Sequence, residues 1–146
     1  MLNELLTHEL IHLFLAIATG VVIFQKTKEW KALFWTVVAS MFLDIDHFID
    51  YFYAYGLNIN LTNIISGDYF DITNRVFVPL HSWEIAIVLF ILSKRKSFVR
   101  YKTILLSLSL GVFGHLLVDQ IDHNQPLGFY FLIVRVYHGF FDPEYW

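Results

Sequence analysis

Histidine and carboxylate residues occur in four clusters along an otherwise apolar chain. An ionisable side chain at membrane depth costs about 2.5–3.5 kcal/mol on insertion scales, so such residues usually serve a function. Imidazole nitrogens and carboxylate oxygens are the atoms that hold zinc and similar ions in hydrolytic sites. The pattern therefore predicts a metal site assembled from distant segments. The clusters are His8 and His12; Asp44, Asp46, His47 and Asp50; His81 and Glu84; and His115, Asp119, Asp122 and His123.

The composition predicts that these clusters belong to an integral membrane protein. Of the 146 residues, 57% are hydrophobic and only 16% are charged, and the mean hydropathy is +0.56. A soluble domain of this length has too much surface for so few charges. The length leaves room for a single membrane-embedded domain over residues 1–146. The net charge of -3 argues against a nucleic-acid partner, and the lack of cysteine excludes disulfides and thiolate ligands.

Four apolar runs predict an all-α, four-helix membrane bundle. With its polar end counted, each run approaches the roughly 20 residues that cross a bilayer. The third is the shortest and spans only with tilt or local thinning. Pro126 ends the last helix, and the aromatic segment 129–141, with Tyr145 and Trp146, is expected at the membrane interface. The runs are Leu5–Phe24, Ala32–Tyr55, Leu80–Leu92 and Ile104–Val118.

Two short basic loops predict the orientation. They hold eight of the ten Lys and Arg residues, at positions 26–31 and 94–102, and the positive-inside rule places them in the cytoplasm. Both termini, the polar clusters and the loop 56–75 then face outward from a plasma or inner membrane. That loop is interpreted as either a lid or an interfacial helix. Met1 to Glu4 lack the basic region of a cleaved signal peptide, so the first apolar run is expected to remain as a helix.

Helical rise gives the clusters a common depth. At about 1.5 Å per residue from the cytoplasmic end, His12, His81 and His115 lie about 18 Å up their helices, and Asp46 lies about 22 Å up. In a hydrocarbon core about 30 Å thick, all four fall in the outer half. A shared site is therefore expected beneath the outer surface.

The primary candidate ligands are His12, Asp46, His81, His115 and Asp119. The spacing of His115 and Asp119 puts them on one helix face, where a pair can hold one metal. The donor set favours zinc or another divalent metal, with one to three ions, and Asp46 or Asp119 could bridge two of them. The further candidates are His47 and His123 as ligands, with Asp50 and Glu84 as proton acceptors.

Structural explanations compete at each cluster. Asp44 lies on a different helix face from Asp46 and is also explained as a solvated helix end. Glu84 follows Pro79, so it is also explained as an acid at a helix N-terminus. No residue at helical spacing from Arg135 is an obvious partner for it in the sequence. Arg135 is therefore interpreted as a surface group or a contact to an anionic substrate.

The pentapeptide His8-Glu9-Leu10-Ile11-His12 matches the H-E-x-x-H pattern of zinc metalloproteases. There, two histidines of one helix face bind zinc and the glutamate is the general base. An intramembrane zinc protease is therefore an alternative. The same residues can also be a helix entry in which only His12 is a ligand.

The order of the motifs resembles the YdjM-like family of membrane-bound, metal-dependent hydrolases. The resemblance spans most of the chain. It implies a multi-pass membrane hydrolase distantly related to zinc-dependent phospholipase C, with His12 rather than His8 aligned. Leu43 stands where the family usually has proline, and the family's second histidine before the His-Ser pair is missing, so Glu84 or His123 could supply that contact. The motifs are His12-Leu13, Asp44-Ile45-Asp46-His47, His81-Ser82, Gly114-His115-Leu116-Leu117-Val118-Asp119 and Pro126-Leu127-Gly128-Phe129.

The expected function is hydrolysis of a phosphoester, in a phospholipid or lipid-linked substrate that reaches the outer leaflet site from the side. A bound divalent ion would supply a nucleophile by activating water. Besides the protease, a metal or haem carrier without enzyme activity remains an alternative, since it would also need paired intramembrane histidines. A purely structural bundle would tolerate His115→Ala.

Overall fold

The computed structural model describes residues 2–126 and 128–142, apart from the side chains of Leu2 and Glu4. These residues form helices and no named strand, which confirms the all-α prediction, and Arg75 pairs with Phe141 in one isolated bridge. Two 3-10 turns, Leu43–Asp46 and Lys96–Tyr101, precede α3 and α7. The helices are α1 (Leu2–Thr27), α2 (Lys31–Met41), α3 (His47–Tyr55), α4 (Leu61–Ser66), α5 (Tyr69–Thr73), α6 (Trp83–Lys94), α7 (Lys102–Asp122) and α8 (Leu132–Tyr137).

Three helical segments are long and apolar enough to cross a membrane: Leu5–Thr27, Lys31–Tyr55 and Lys96–Asp122. The second contains α2, the 3-10 turn Leu43–Asp46 and α3, so the acidic cluster interrupts a continuous path rather than ending it. These segments match three of the four predicted apolar runs.

The third predicted run, the shortest of the four, forms a short helix that begins three residues later than predicted. Helix α6 has 12 residues, which is roughly 18 Å of rise against a core about 30 Å thick. It begins at Trp83 because Ser82 has an extended backbone, which leaves His81 in the preceding connection. A four-span bundle is therefore not confirmed, although α6 packs against α7, which also contacts α1 and α2.

The segments outside the long helices pack on a common apolar cluster. The C-terminal segment contributes Phe129 and Tyr130, while α8 exposes Ile133, Val136 and Tyr137 on its other side. One face of α8 is thus docked and the other is apolar and open, as in an interfacial helix. Tyr145 and Trp146, expected at the same interface, lie outside the described residues. The buried cluster consists of Leu43, Val76, Val78, Ala86, Val112, Leu116, Phe129 and Tyr130.

Small residues let the long helices approach closely. A Cβ atom at Gly111 of α7 would lie 2.6 Å from the Thr36 carbonyl oxygen and 2.8 Å from Ala39 Cβ of α2. At Gly20 of α1, a Cβ atom would lie 2.9 Å from Leu33 Cα. Small residues at helix crossings are the usual means of close packing in membranes, where helix association depends on van der Waals contact.

We expect Gly111→Ala to destabilise the fold by about 1–3 kcal/mol, because the new methyl group overlaps backbone that cannot move without separating two helices. Thermal unfolding of the purified protein in detergent measures this. Gly114→Ala is the matched control on the same helix, since its Cβ atom would meet Leu15 Cδ2 at an ordinary 3.5 Å. Equal effects of the two substitutions would contradict the close-packing explanation.

Candidate metal centre

The polar clusters predicted to meet do meet, at one end of the three long helical segments. His8 and His12 are one turn apart on α1, and His115 and Asp119 are one turn apart on α7. Asp44 enters from the 3-10 turn, and His81 enters from the connection before α6. Their ligand-type atoms form overlapping groups, including a fully buried one of His12, His115 and Asp119. Divided by the shortest distances, these atoms form two groups that share Asp119.

The first group, called subsite 1, consists of His8 Nε2, His12 Nε2 and Asp119 Oδ1. The two imidazole nitrogens are 2.8 Å apart. They lie 3.3 Å and 3.1 Å from Asp119 Oδ1. The i, i+4 spacing of the histidines places both rings on one face of α1, toward α7.

The second group, called subsite 2, consists of His81 Nε2, His115 Nε2, Asp44 Oδ1 and Asp119 Oδ2. The two nitrogens are 3.2 Å apart. Asp44 Oδ1 lies 3.1 Å from His81 and 3.4 Å from His115. Asp119 Oδ2 lies 3.6 Å and 3.2 Å from the same two nitrogens.

The separations in subsite 2 would suit a metal ion. Ligand atoms about 2.0–2.1 Å from a tetrahedral zinc ion lie roughly 3.3 Å from one another, and the separations in subsite 2 run from 3.1 to 3.6 Å. In the described part of the chain, Asp119 Oδ1 is buried and accepts no hydrogen bond of good geometry, although two imidazole nitrogens face it. Nitrogen and oxygen atoms that converge with few protons between them can act together as the ligands of a divalent cation.

Burial separates the centre from water. His12, Asp119, His81 and His115 are all no more than 3% exposed, whereas the Asp44 side chain is one-third exposed. The rings of His12 and His115 stack with their centroids 3.8 Å apart, which leaves no slot between these two rings for a planar cofactor such as haem. Subsites 1 and 2 are therefore adjacent, and Asp44 lies at their solvent side.

Asp46, predicted as a ligand, is placed behind His81. Its Oδ1 lies 3.0 Å from His81 Nδ1, and its Oδ2 accepts the backbone N–H groups of Leu80 and His81 at 2.6 and 3.2 Å. A carboxylate on the far nitrogen of a ligating imidazole sets the ring's tautomer and orientation. Asp46, His47 and His81 also bring ligand atoms close together, but the backbone contacts favour a supporting position for Asp46.

The two predicted proton acceptors hold backbone groups. Asp50 accepts the N–H groups of Phe77 and Val78 at 2.6 and 3.1 Å. Glu84 accepts the Ser82 hydroxyl and the N–H groups of Leu132 and Ile133. Their carboxylates thus position loops.

His47 and His123 lie at the edge of the centre. His47 Nε2 is 3.7 Å from Asp44 Oδ1, and its Nδ1 is 3.1 Å from the Tyr69 hydroxyl. Burial raises the pKa of that hydroxyl, so Tyr69 stays neutral. His123 is exposed and groups with His8 and Asp119.

The two remaining acidic candidates differ in position. The Asp122 side chain is 58% exposed and lies 2.9 Å from His8 Nδ1 at the surface, without a hydrogen bond of good geometry to that nitrogen. Asp44 reaches subsite 2, although its position in the sequence was also interpreted as that of an acid at a solvated helix end. Helical spacing could not show this because Asp44 sits in a 3-10 turn, whose winding differs from that of the flanking helices.

A half-open cavity of about 590 Å³ leads to the centre. Its polar part includes His8, Glu9, Asp44 and Asp119, and its walls are largely apolar. The loop 56–75, which was interpreted as a lid or an interfacial helix, folds into α4 and α5 and walls the cavity. The Tyr51 hydroxyl holds this loop, donating to the Asn58 carbonyl and accepting the Asn60 N–H. The apolar wall includes Phe48, Ile64, Ile65, Phe70 and Phe129.

No protein-family model, curated protein or solved structure matches this chain. The site is therefore interpreted from its own geometry.

We expect the purified protein to bind two zinc ions per chain, with Asp119→Ala removing both because each subsite uses one of its oxygens. His8→Ala and His81→Ala should each remove one ion. Elemental analysis after equilibration with zinc measures the stoichiometry. Asp71→Asn, at an exposed cavity residue outside both subsites, is the control. Retention of two ions by Asp119→Ala would rule out the shared carboxylate.

Proposed function

We propose that this chain is a membrane hydrolase that uses two divalent ions, with zinc favoured by the donor set, to cleave a phosphoester of a lipid or lipid-linked substrate. The observation that carries the proposal is the position of Asp119, whose two oxygens belong to adjacent clusters of ligand atoms. Paired ions about 3.5–4 Å apart are the usual arrangement for displacement at phosphorus. The motifs that resemble the YdjM-like hydrolases supply all of these atoms except His8 Nε2, which supports the same class.

Nitrogen-rich shells with a few carboxylates favour zinc over magnesium or calcium, which prefer oxygen. Such ions, when bound, activate water and neutralise charge on the phosphoryl oxygens. The chain's own part is to hold the ligands in place and to shape the cavity. Asp46 orients His81 through its contact with Nδ1.

Glu9 is the proposed proton acceptor. It borders the cavity beside His8 and belongs to neither subsite. A general base must reach the proton that it removes, and Glu9 is a half-buried carboxylate that lines the cavity. Asp50 and Glu84 are proposed instead as supports, since their oxygens already accept backbone N–H groups.

The cavity favours a lipid phosphoester for two reasons. Its apolar wall suits an acyl or isoprenoid portion, and the adjoining helices are apolar enough to lie in a bilayer. Among the described residues that line it there is no Lys or Arg, so the negative charge of a phosphate must be met by the ions. The positive-inside orientation would place the opening at the outer leaflet, where a head group can enter sideways.

We expect the protein in mixed micelles to hydrolyse a phospholipid, and chelation followed by dialysis to abolish this activity until zinc is restored. His115→Ala should lower turnover at least about 100-fold, because loss of a ligand exceeds the effect of losing an outer contact. Phosphate or phosphorylated head-group release measures the reaction. Turnover that survives both chelation and His115→Ala would exclude the proposal.

The intramembrane protease remains a second candidate because His8 and His12 converge with Asp119, as the H-E-x-x-H pattern requires. The two functions differ in their use of subsite 2. A phosphoesterase that needs both ions should lose its activity on Asp44→Asn, whereas a protease of this type needs only subsite 1 and Glu9. Cleavage of a membrane-embedded peptide that withstands Asp44→Asn and is lost on Glu9→Gln would favour the protease.

A further inference from the structure

His81 is the ligand of the proposed centre that lies in an extended connection, whereas the others come from α-helices or from the 3-10 turn Leu43–Asp46. Its connection, residues 76–82, joins α5 to α6 and includes Val78 at a positive φ of 25°. A valine at positive φ is a conformational outlier that persists only when its surroundings hold it. The position of His81 therefore depends on the hydrogen bonds that hold the backbone of this connection.

The N–H groups of the connection are held from the second helical segment. Asp50 accepts those of Phe77 and Val78, and Asp46 accepts those of Leu80 and His81. These bonds fix one edge of the connection to the same segment that supplies Asp44.

The carbonyl groups are held from the opposite side by Arg135. Its Nη1 donates to the carbonyl oxygens of Phe77 and Val78 at 2.8 and 2.9 Å, and its Nη2 donates to that of His81 at 2.6 Å. Arg135 is 0% exposed, so its interpretation as a surface group was wrong. A fully buried guanidinium is expensive to retain unless its donors are used.

Helix α8, which carries Arg135, is itself fixed to α6. Glu84 accepts the N–H groups of Leu132 and Ile133 in the first turn of α8. Burial lowers the pKa of Arg135 and nearby Asp46 partly offsets this, and a guanidinium stays charged in proteins. A charged planar fork can hold three carbonyls at once, which a lysine ammonium does with less geometric control.

We propose that Arg135 is a positioning residue of the metal centre, acting through the backbone of residues 77–81 to place His81 Nε2 in subsite 2. This inference rests on the proposed function, because it assumes that subsite 2 binds an ion. It assigns α8 a role in the site in addition to any contact with the membrane surface.

The test is a cobalt titration of metal-free protein in detergent, followed by visible absorption. In a His8→Ala background, subsite 1 is disabled and the absorption reports subsite 2. Arg135→Lys should weaken cobalt binding there by about 10–100-fold, the range for loss of an outer support, and should alter the band shape. In a His81→Ala background, which reports subsite 1, Arg135→Lys should change affinity by no more than about twofold.

Arg75→Lys is the matched control. Arg75 also donates to a carbonyl, that of Gly139, and stacks on Phe141. Its substitution should leave subsite 2 within about twofold of its parent. If Arg135→Lys does not fold, Asp50→Asn tests the other edge of the connection and should weaken subsite 2 in the same direction.

The outcomes separate this inference from the proposed function. Parent protein that binds no cobalt would overturn both. Parent protein that binds two ions, with Arg135→Lys or its Asp50→Asn substitute leaving subsite 2 unchanged or weakening both subsites equally, would overturn the positioning role alone. Selective weakening of subsite 2 with folded protein, judged by helical circular dichroism, supports the proposal.

Discussion

The Asp119 carboxylate is the group on which the rest of the arrangement depends. It is buried at 3% exposure between α7, α1 and the connection before α6. A charge in that position is tolerated only if its surroundings compensate for the lost water. The compensation comes from four imidazoles on three elements, α1, α7 and the connection before α6, which sets how close those elements must be. Glycines let α1 and α7 each pack closely on α2.

Around this carboxylate, acidic residues divide into two kinds. Asp44 and Asp119 present oxygens to imidazole Nε2 atoms, whereas Asp46, Asp50 and Glu84 present theirs to backbone N–H groups. Acidic residues of the second kind fix the backbone of a loop, since a carboxylate that accepts two N–H groups forms strong, charge-assisted hydrogen bonds. Arg135 completes this by holding the carbonyls of the same turn. A site that must keep ligand atoms in place needs such outer support.

The proposed function follows from combining this rigid centre with an apolar approach. The cavity joins a cluster of imidazoles and carboxylates to walls that include Ile64, Phe70 and Phe129. Its position beside helices that can cross a bilayer supports the proposal of a lipid substrate. Tyr51 and the His47–Tyr69 contact hold residues 56–75, which include the short helices α4 and α5, against the cavity.

The apolar runs, the helical class and the convergence of the four clusters were predictable from sequence. Hydropathy reports the long helices, and the i, i+4 spacing reports which polar groups share a helix face. The start of α6 at Trp83 rather than Leu80 was not predictable, because the apolar run continues through residues that the fold uses as an extended connection. Nor were the partners of Asp50, Glu84 and Arg135, since these bonds join residues far apart in sequence and leave no periodic signal. The sequence by itself therefore determined which residue types meet, while only the tertiary structure decided which of them face one another's ligand atoms and which hold the backbone, because that choice depends on long-range contacts.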